Sequence, residues 1–256
     1  NIDKMIHCGD PSFGGAMYGC PHCGKLKFVP FRCHSRFCPT CGNKYTMDRT
    51  TGMSFKLVNV THRHCVFTID ENLREFFLKD RSLLDCLFHS VNSVITRMFF
   101  KMNKSKNFTP GFIMVLHTFG RDLKWNPHIH CLVCEEAFDT KKNKMKNFSF
   151  ISYKKLRKTW MYQVLDLLSK QELENFNYLK QRFYKELVNG FYVYAKKKEK
   201  DNDDNNVDDC VNYITRYTSR PPMAENRIIK YEDDKKMIRW WYNRHEDEKY
   251  IEVYES

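Results

Sequence analysis

Six of the eleven cysteines in this 256-residue chain lie within its first 41 residues. Four of them form two Cys-x-x-Cys knuckles, Cys20–Cys23 and Cys38–Cys41, each followed by glycine and separated by fourteen residues. A two-residue spacer lets both thiolates of a tight turn reach one tetrahedral ion, and this separation is close to that of four-cysteine zinc sites. We therefore predict a zinc ribbon with a structural zinc ion. Cys8 and Cys33 either complete a second zinc site, join a shared cluster or have no metal role.

Two histidines, His128 and His130, lie two residues apart in an apolar run that predicts a strand. Strand alternation places both imidazoles on one face and Ile129 on the opposite face, toward the core. Paired neutral imidazoles can bind a divalent ion, and such an ion could polarise a phosphate oxygen. His117, on the preceding predicted strand, becomes a third ligand if the hairpin brings it opposite His130.

Two tyrosines, Tyr213 and Tyr217, are spaced i and i+4 on a predicted helix and so share one helix face. Arg216 and Arg220 form a second pair with the same spacing. A tyrosine hydroxyl can attack a DNA phosphodiester when a metal polarises the phosphate, leaving a 5′-phosphotyrosine and a free 3′-OH. By itself this spacing is more typical of packing than of catalysis.

The elements that must position these residues follow from hydrophobic periodicity. Composition changes near residue 55, which predicts a zinc-binding domain over 1–55 and an α+β domain over 56–256. In the second domain we predict strands at 64–69, 111–116, 128–133 and at the edge over 148–151, a short aromatic run at 191–194, and two or three antiparallel strands within 227–253. We predict helices at 73–102, 153–169, 171–188 and 207–220, and a mobile loop at 196–209.

The balance of charge favours a polyanionic partner. The chain has 43 Lys and Arg against 31 Asp and Glu, a net charge of +12, with 15% aromatic residues. Basic and aromatic side chains together are typical of nucleic-acid binding, although on charge alone a basic protein without such a partner is an equal alternative. Five residues are candidates for contacting DNA: Arg36, Lys124, Trp125, Arg216 and Arg220.

Other classes are excluded or disfavoured by composition. The aromatic content argues against a disordered chain. No apolar run reaches the roughly 18 residues of a membrane span, and no apolar signal segment begins the sequence, so a cytosolic protein is expected. There is also no phosphate-binding GxxxxGK[ST] loop, so we expect no use of ATP.

The order of the three motifs resembles the two-tyrosine HUH transposases of bacterial insertion sequences, the rolling-circle type. Four stretches carry the resemblance: Gly14–Gly24, Cys33–Cys41, Leu116–Val133 and Tyr213–Tyr217. The resemblance implies an HUH nuclease fold with a central antiparallel sheet flanked by helices, preceded by the small zinc domain. It also implies that His128 and His130 are metal ligands and that the two tyrosines are nucleophiles. Such proteins usually continue beyond a segment like 227–253.

The implied function is a transposase that cleaves and rejoins single-stranded DNA at the ends of an insertion sequence and at its target. It would use structural Zn²⁺ and catalytic Mg²⁺ or Mn²⁺, in the bacterial cytoplasm at the nucleoid. Two alternatives remain open: a rolling-circle replication initiator with the same chemistry, and a non-catalytic DNA-binding protein built on the zinc ribbon. The sequence does not predict an oligomeric state.

Overall fold

A computed structural model describes residues 2–104, 107–147, 152–195, 223, 225–243 and 250–255. Within them, one compact unit contains residues 2–57 together with residue 223, and a second unit contains the remaining described residues. The predicted edge strand at 148–151, the loop at 196–209 and the helix at 207–220 lie outside the described residues. In the part of the chain that is described, no helix is long and apolar enough to cross a membrane.

The first unit is small and has almost no hydrophobic core. Its elements are α1 (Ile2–Ile6), β1 (Gly15–Gly19), β2 (Leu26–Pro30) and α2 (Pro39–Ser54), with β1 and β2 paired as an antiparallel hairpin. Cys38 is the one buried side chain among residues 2–57. Because apolar burial is so slight, the fold of this unit needs another source of stability, such as a bound metal ion.

The second Cys-x-x-Cys motif begins a helix, which differs from the predicted zinc ribbon with two turn-forming knuckles. Cys38 precedes the first residue of α2, and Pro39 occupies its first turn. Proline favours this position because its backbone angle suits a helix and its missing N–H would have no partner there. The first motif does lie in a turn, between β1 and β2.

The second unit is an α+β structure with a central antiparallel sheet, as predicted. It comprises β3 (His62–Thr68), α3 (Glu71–Lys79), α4 (Leu84–Asn103), β4 (Phe108–Phe119), β5 (Trp125–Asp139), β6 (Lys144–Asn147), α5 (Tyr153–Leu168), α6 (Phe176–Glu186), β7 (Val193–Tyr194), β8 (Ile228–Glu232), β9 (Met237–Asn243) and β10 (Tyr250–Glu255). The central sheet has the order β4-β5-β3-β7, and β6 pairs with the far end of β5. The strands β8, β9 and β10 form a separate antiparallel sheet.

One face of the central sheet forms the core with the helices. Phe67 and Ile129 are fully buried on this face, together with Val91 of α4 and Trp160 of α5. The indole N–H of Trp160 donates to the carbonyl of Thr68 over 2.7 Å, which satisfies the polar atom of a buried ring. Ile129 therefore faces the core as predicted, and its neighbours in β5 face the opposite side.

The predicted helix at 73–102 is two helices. The chain leaves the helical conformation at Asp80, whose φ is −128°, and the Asp80 carboxylate accepts a hydrogen bond from the backbone N–H of Ser82. An aspartate that bonds the backbone two residues later favours a turn and a new helix start. Apolar spacing runs through the break, so periodicity alone does not show it.

Candidate functional site

Three histidines lie together on the face of the central sheet opposite the core. His117 on β4 is paired directly with His128 on β5, and His130 follows two residues later on the same face. One ring nitrogen from each of the three lies within 4.8 Å of the others. The sequence predicted that His117 lies opposite His130 on the neighbouring strand. In the structure His117 lies close to both histidines, but its direct partner on β5 is His128. The register of the hairpin, which shifts between His117 and Phe119, decides the partner.

The geometry of the pair suits a shared metal ion. The Nε2 atoms of His128 and His130 are 3.1 Å apart. A metal about 2.1 Å from two imidazole nitrogens separates them by about 3 Å when the ligands are at right angles. The Nδ1 atom of His128 is 2.7 Å from the carbonyl oxygen of Asn126. Because a carbonyl only accepts, Nδ1 carries the proton and leaves the Nε2 lone pair for a ligand.

Burial keeps these imidazoles in the form that binds metals. Burial lowers the pKa of His130 to about 2, with further lowering by the neighbouring His128 and His117. Burial likewise lowers the pKa of His128. Neutral imidazole is the metal-binding form, so the group is ready to bind a cation at neutral pH.

A fourth histidine, His64, lies beside the group and was not among the site residues predicted from the sequence. Its Nε2 is 3.0 Å from Nδ1 of His130, and burial lowers the pKa of His64 to about 4. The sequence carried a signal for it, because His62-Arg-His64 is a second His-x-His pattern, which ends at the first residue of the strand predicted at 64–69. The sequence does not show that β3 pairs with β5, and this pairing is what brings His64 to His130.

Four cysteines of the first unit form a second candidate metal site. One sulfur each from Cys8, Cys33, Cys38 and Cys41 lies within 4.8 Å of the others. The sulfur of Cys41 is 3.5 Å from that of Cys8 and 3.8 Å from that of Cys33. Sulfurs bound at about 2.3 Å to a tetrahedral zinc ion lie about 3.8 Å apart, so these four fit one zinc ion.

Backbone donors also favour the thiolate form in this group. The backbone N–H of Cys33 donates to the sulfur of Cys8 over 3.4 Å, and this bond is the main reason that the pKa of Cys8 falls to about 6. The N–H of Ser35 donates to the sulfur of Cys33, also over 3.4 Å, and lowers its pKa, but burial and the neighbouring thiols outweigh this bond and raise the pKa of Cys33 to about 12. Thiolates are the zinc-binding form of cysteine, so the backbone prepares Cys8 for metal, while a bound zinc ion would have to displace the proton of Cys33.

The first Cys-x-x-Cys motif is not part of this four-sulfur group. Cys20 and Cys23 are exposed in the turn between β1 and β2. The predicted pairing of the two motifs around one ion is therefore replaced by a group in which Cys8 and Cys33 join the second motif. The fold brings the turn after α1, which carries Cys8, and the segment after β2, which carries Cys33, to the start of α2. Spacing along the chain does not reveal this.

The candidate DNA-contacting residues fall into different environments. Arg36 is exposed, with its guanidinium 5.9 Å from the ring centroid of Tyr45, and Lys124 is exposed in the turn before β5. Trp125 is half-buried, its indole N–H donates to the carbonyl of Arg74 over 2.8 Å, and the guanidinium of Arg81 lies over its ring. Four predicted site residues lie outside the described ranges: Tyr213, Arg216, Tyr217 and Arg220.

The resemblance to transposases predicts two features: a group of cysteines that fits a zinc ion, and a group of histidines on an antiparallel sheet. Both are present in the structure. The profile of the family described as "Putative transposase" matches residues 111–255, which is more than half of the chain. The profile of the "Transposase zinc-binding domain", of the IS91 type, matches residues 1–69. The chain therefore belongs to this transposase family, and the predicted family is confirmed.

Two curated relatives are similar along nearly the whole chain. The transposase for insertion sequence element IS801 of Pseudomonas savastanoi pv. phaseolicola is 30% identical over 97% of this chain and 61% of its own length. The "Putative transposase y4qJ" of Sinorhizobium fredii is 25% identical over 94% of this chain and 63% of its own length. The chain thus spans less than two thirds of the relatives it matches. No solved structure matches it.

Proposed function

We propose that this chain cleaves and rejoins single-stranded DNA at the ends of an insertion sequence through a covalent 5′-phosphotyrosine. The observation that carries the proposal is the group His117, His128 and His130, which lies on paired strands in a protein of a transposase family. Tyr213 and Tyr217 are the proposed nucleophiles, on the strength of their spacing and of the resemblance to two-tyrosine transposases. The substrate would bring the protein to the bacterial nucleoid.

The proposed cleavage exchanges one phosphodiester for another. The phenol oxygen of one tyrosine attacks the phosphorus, the bond to the 3′-oxygen breaks, and the 5′-phosphate stays on the tyrosine. The phenol proton passes to water, and the departing 3′-oxygen takes up a proton. A 3′-OH of another strand can reverse the step and join new DNA. The energy of the broken bond is kept, so no nucleotide triphosphate is required.

The histidine group supplies the place where the scissile phosphate would be held. A bound divalent ion would neutralise charge that develops on the nonbridging phosphate oxygens. His128 and His130 point their Nε2 atoms to one spot on rigid strands, with the His128 ring held by the Asn126 carbonyl. A site on a sheet keeps its geometry when the substrate binds, which favours the attack.

The composition of the site favours Mn²⁺ over Mg²⁺, the two ions predicted from the sequence. The group contains three imidazoles and no carboxylate. Mg²⁺ prefers oxygen ligands and keeps several waters, whereas imidazole suits transition metals better. We therefore expect cleavage at lower concentrations of Mn²⁺ than of Mg²⁺.

The test is the formation of a covalent DNA adduct. The protein is mixed with labelled single-stranded oligonucleotides from the ends of its insertion sequence, with Mn²⁺ or EDTA, and run on a denaturing protein gel. We expect a Mn²⁺-dependent adduct that Tyr213→Phe combined with Tyr217→Phe abolishes. Tyr178→Phe, at an exposed tyrosine of α6, is the matched control and should not change it.

Two results would overturn the proposal: an adduct of normal yield in the double variant, or no adduct from wild-type protein that binds the same oligonucleotide. An added oligonucleotide with a free 3′-OH tests the joining step. It should convert the adduct to a longer DNA strand and release the protein.

A further inference from the structure

His64 contacts His130 on the side away from the candidate metal site. His64 pairs with Leu132 across the β3–β5 ladder, so it lies diagonally beside His130 on the same face of the sheet. The two imidazole rings are stacked, with centroids 5.2 Å apart and an interplanar angle of 10°. The Nε2 atom of His64 is 3.0 Å from Nδ1 of His130, which is hydrogen-bonding distance. His64 itself is not in the group of three.

A hydrogen bond between two neutral imidazoles needs one proton between the two nitrogens. When His130 carries that proton on Nδ1, its Nε2 presents a lone pair toward Nε2 of His128, 3.1 Å away. When His64 carries the proton, the proton of His130 moves to Nε2 and blocks the atom that faces the group. Only the first arrangement leaves His130 able to bind a metal through Nε2.

His128 shows how the same requirement is met by the backbone. Its Nδ1 donates to the carbonyl of Asn126, which can only accept. Metal-binding histidines generally donate their second ring N–H to such a partner, which sets the tautomer and the orientation of the ring. At His130 the corresponding position is occupied by the imidazole of His64.

We propose that His64 is a positioning residue that accepts the Nδ1 proton of His130 and so keeps the His130 Nε2 free for the metal ion. The inference rests on the proposed function, because it deepens the role of the same site. It requires His64 to be protonated on Nδ1 and to act only through His130. Two substitutions separate its hydrogen bond from its packing: His64→Phe keeps a ring that can stack but has no acceptor, and His64→Gln keeps an acceptor near Nε2 without the ring.

The first experiment reads the tautomer of His64 with a metal ion bound, because without an ion the Nε2 of His130 can instead donate to the Nε2 of His128, 3.1 Å away. The protein, labelled with ¹⁵N in its histidines and saturated with diamagnetic Zn²⁺ in place of Mn²⁺, gives ring-nitrogen shifts that distinguish the two tautomers by NMR. We expect His64 to be protonated on Nδ1, so that its Nε2 accepts the Nδ1 proton of His130. A His64 protonated on Nε2 in the metal-bound protein would overturn the inference.

The second experiment measures Mn²⁺ affinity by calorimetry. We expect His64→Phe to weaken binding by about 10- to 100-fold, the usual effect of losing such an outer partner, and His64→Gln to weaken it less. His89→Phe, at an exposed histidine of α4, is the control and should bind as wild type does. Far-UV circular dichroism checks that each variant is folded.

The outcomes separate this inference from the proposed function. If wild-type protein binds Mn²⁺ but forms no covalent adduct with DNA, the proposed function fails, while the tautomer of His64 and the Mn²⁺ affinities of its variants still test the inference. If wild type binds Mn²⁺ and folded His64→Phe binds it equally well, the positioning role of His64 is refuted and the metal site stands. Equal losses in the Phe and Gln variants would assign His64 a packing role only, which also refutes the inference.

Discussion

Replacing Cys33 with serine should weaken the binding of the structural zinc ion by about two to three powers of ten and destabilise the first unit. Cys38 is the one buried side chain among residues 2–57, and a buried side chain of this kind contributes on the order of 1–3 kcal/mol. A structural zinc ion in a small domain contributes about 10–16 kcal/mol of binding free energy. The metal is therefore the larger stabilising contribution by several fold.

The size of the effect follows from the number of thiolates. If the four sulfurs share the binding free energy equally, losing one costs about 2.5–4 kcal/mol, or about two to three powers of ten in zinc affinity. Serine is a poor substitute because its hydroxyl is neutral and zinc favours thiolate. Cys33 also donates its backbone N–H to the sulfur of Cys8, so unfolding around it weakens a second ligand.

The assay compares Cys33→Ser with Cys23→Ser in the same chain. Competition with a chromophoric chelator gives the affinity for the tightest zinc ion, and far-UV circular dichroism follows the loss of α2. Cys23 is exposed in the β1–β2 turn, so its variant should keep the tight zinc ion. The reverse result, with zinc lost from Cys23→Ser and retained by Cys33→Ser, would refute the grouping and restore the pairing of the two Cys-x-x-Cys motifs.

Two further predictions concern the second unit. Arg63 and Glu135 form a buried ion pair, in which the Arg63 Nε–H donates to Oε1 of Glu135 over 2.7 Å. The substitution Glu135→Gln leaves the buried charge of Arg63 without its partner, so it should lower the free energy of unfolding, measured in urea, by about 3–5 kcal/mol. A loss below 1 kcal/mol would contradict this. The second prediction concerns the pH dependence of stability. Burial lowers the pKa values of His64, His128 and His130 in the folded protein. Below about pH 6.5 the unfolded chain therefore binds protons that the folded chain does not. With EDTA present, the unfolding free energy should therefore fall as the pH is lowered from about 7 to about 4, and equal urea midpoints at pH 7 and pH 5 would argue against neutral histidines in the fold.

Local patterns in the sequence determined the chemistry that is available and much of the architecture. Strand alternation is a property of two residues along one chain, so it placed His128 and His130 together and Ile129 in the core without knowledge of any partner strand. Periodicity likewise predicted a mixed fold with an antiparallel sheet and helices. The motifs in their order were enough to predict the transposase family.

Only the tertiary structure decided which distant residues meet. The sequence of one strand does not specify its register with a neighbouring strand. The bulged β4–β5 hairpin places His117 opposite His128, and the pairing of β3 with β5 places His64 beside His130. The sequence allows several sets of four cysteines to share a zinc ion, because every thiol has the same chemistry. Only the path of the folded chain brings Cys8 and Cys33 to the start of α2. Both outcomes depend on contacts between segments far apart in sequence, which the packing of the whole unit selects and local spacing does not encode.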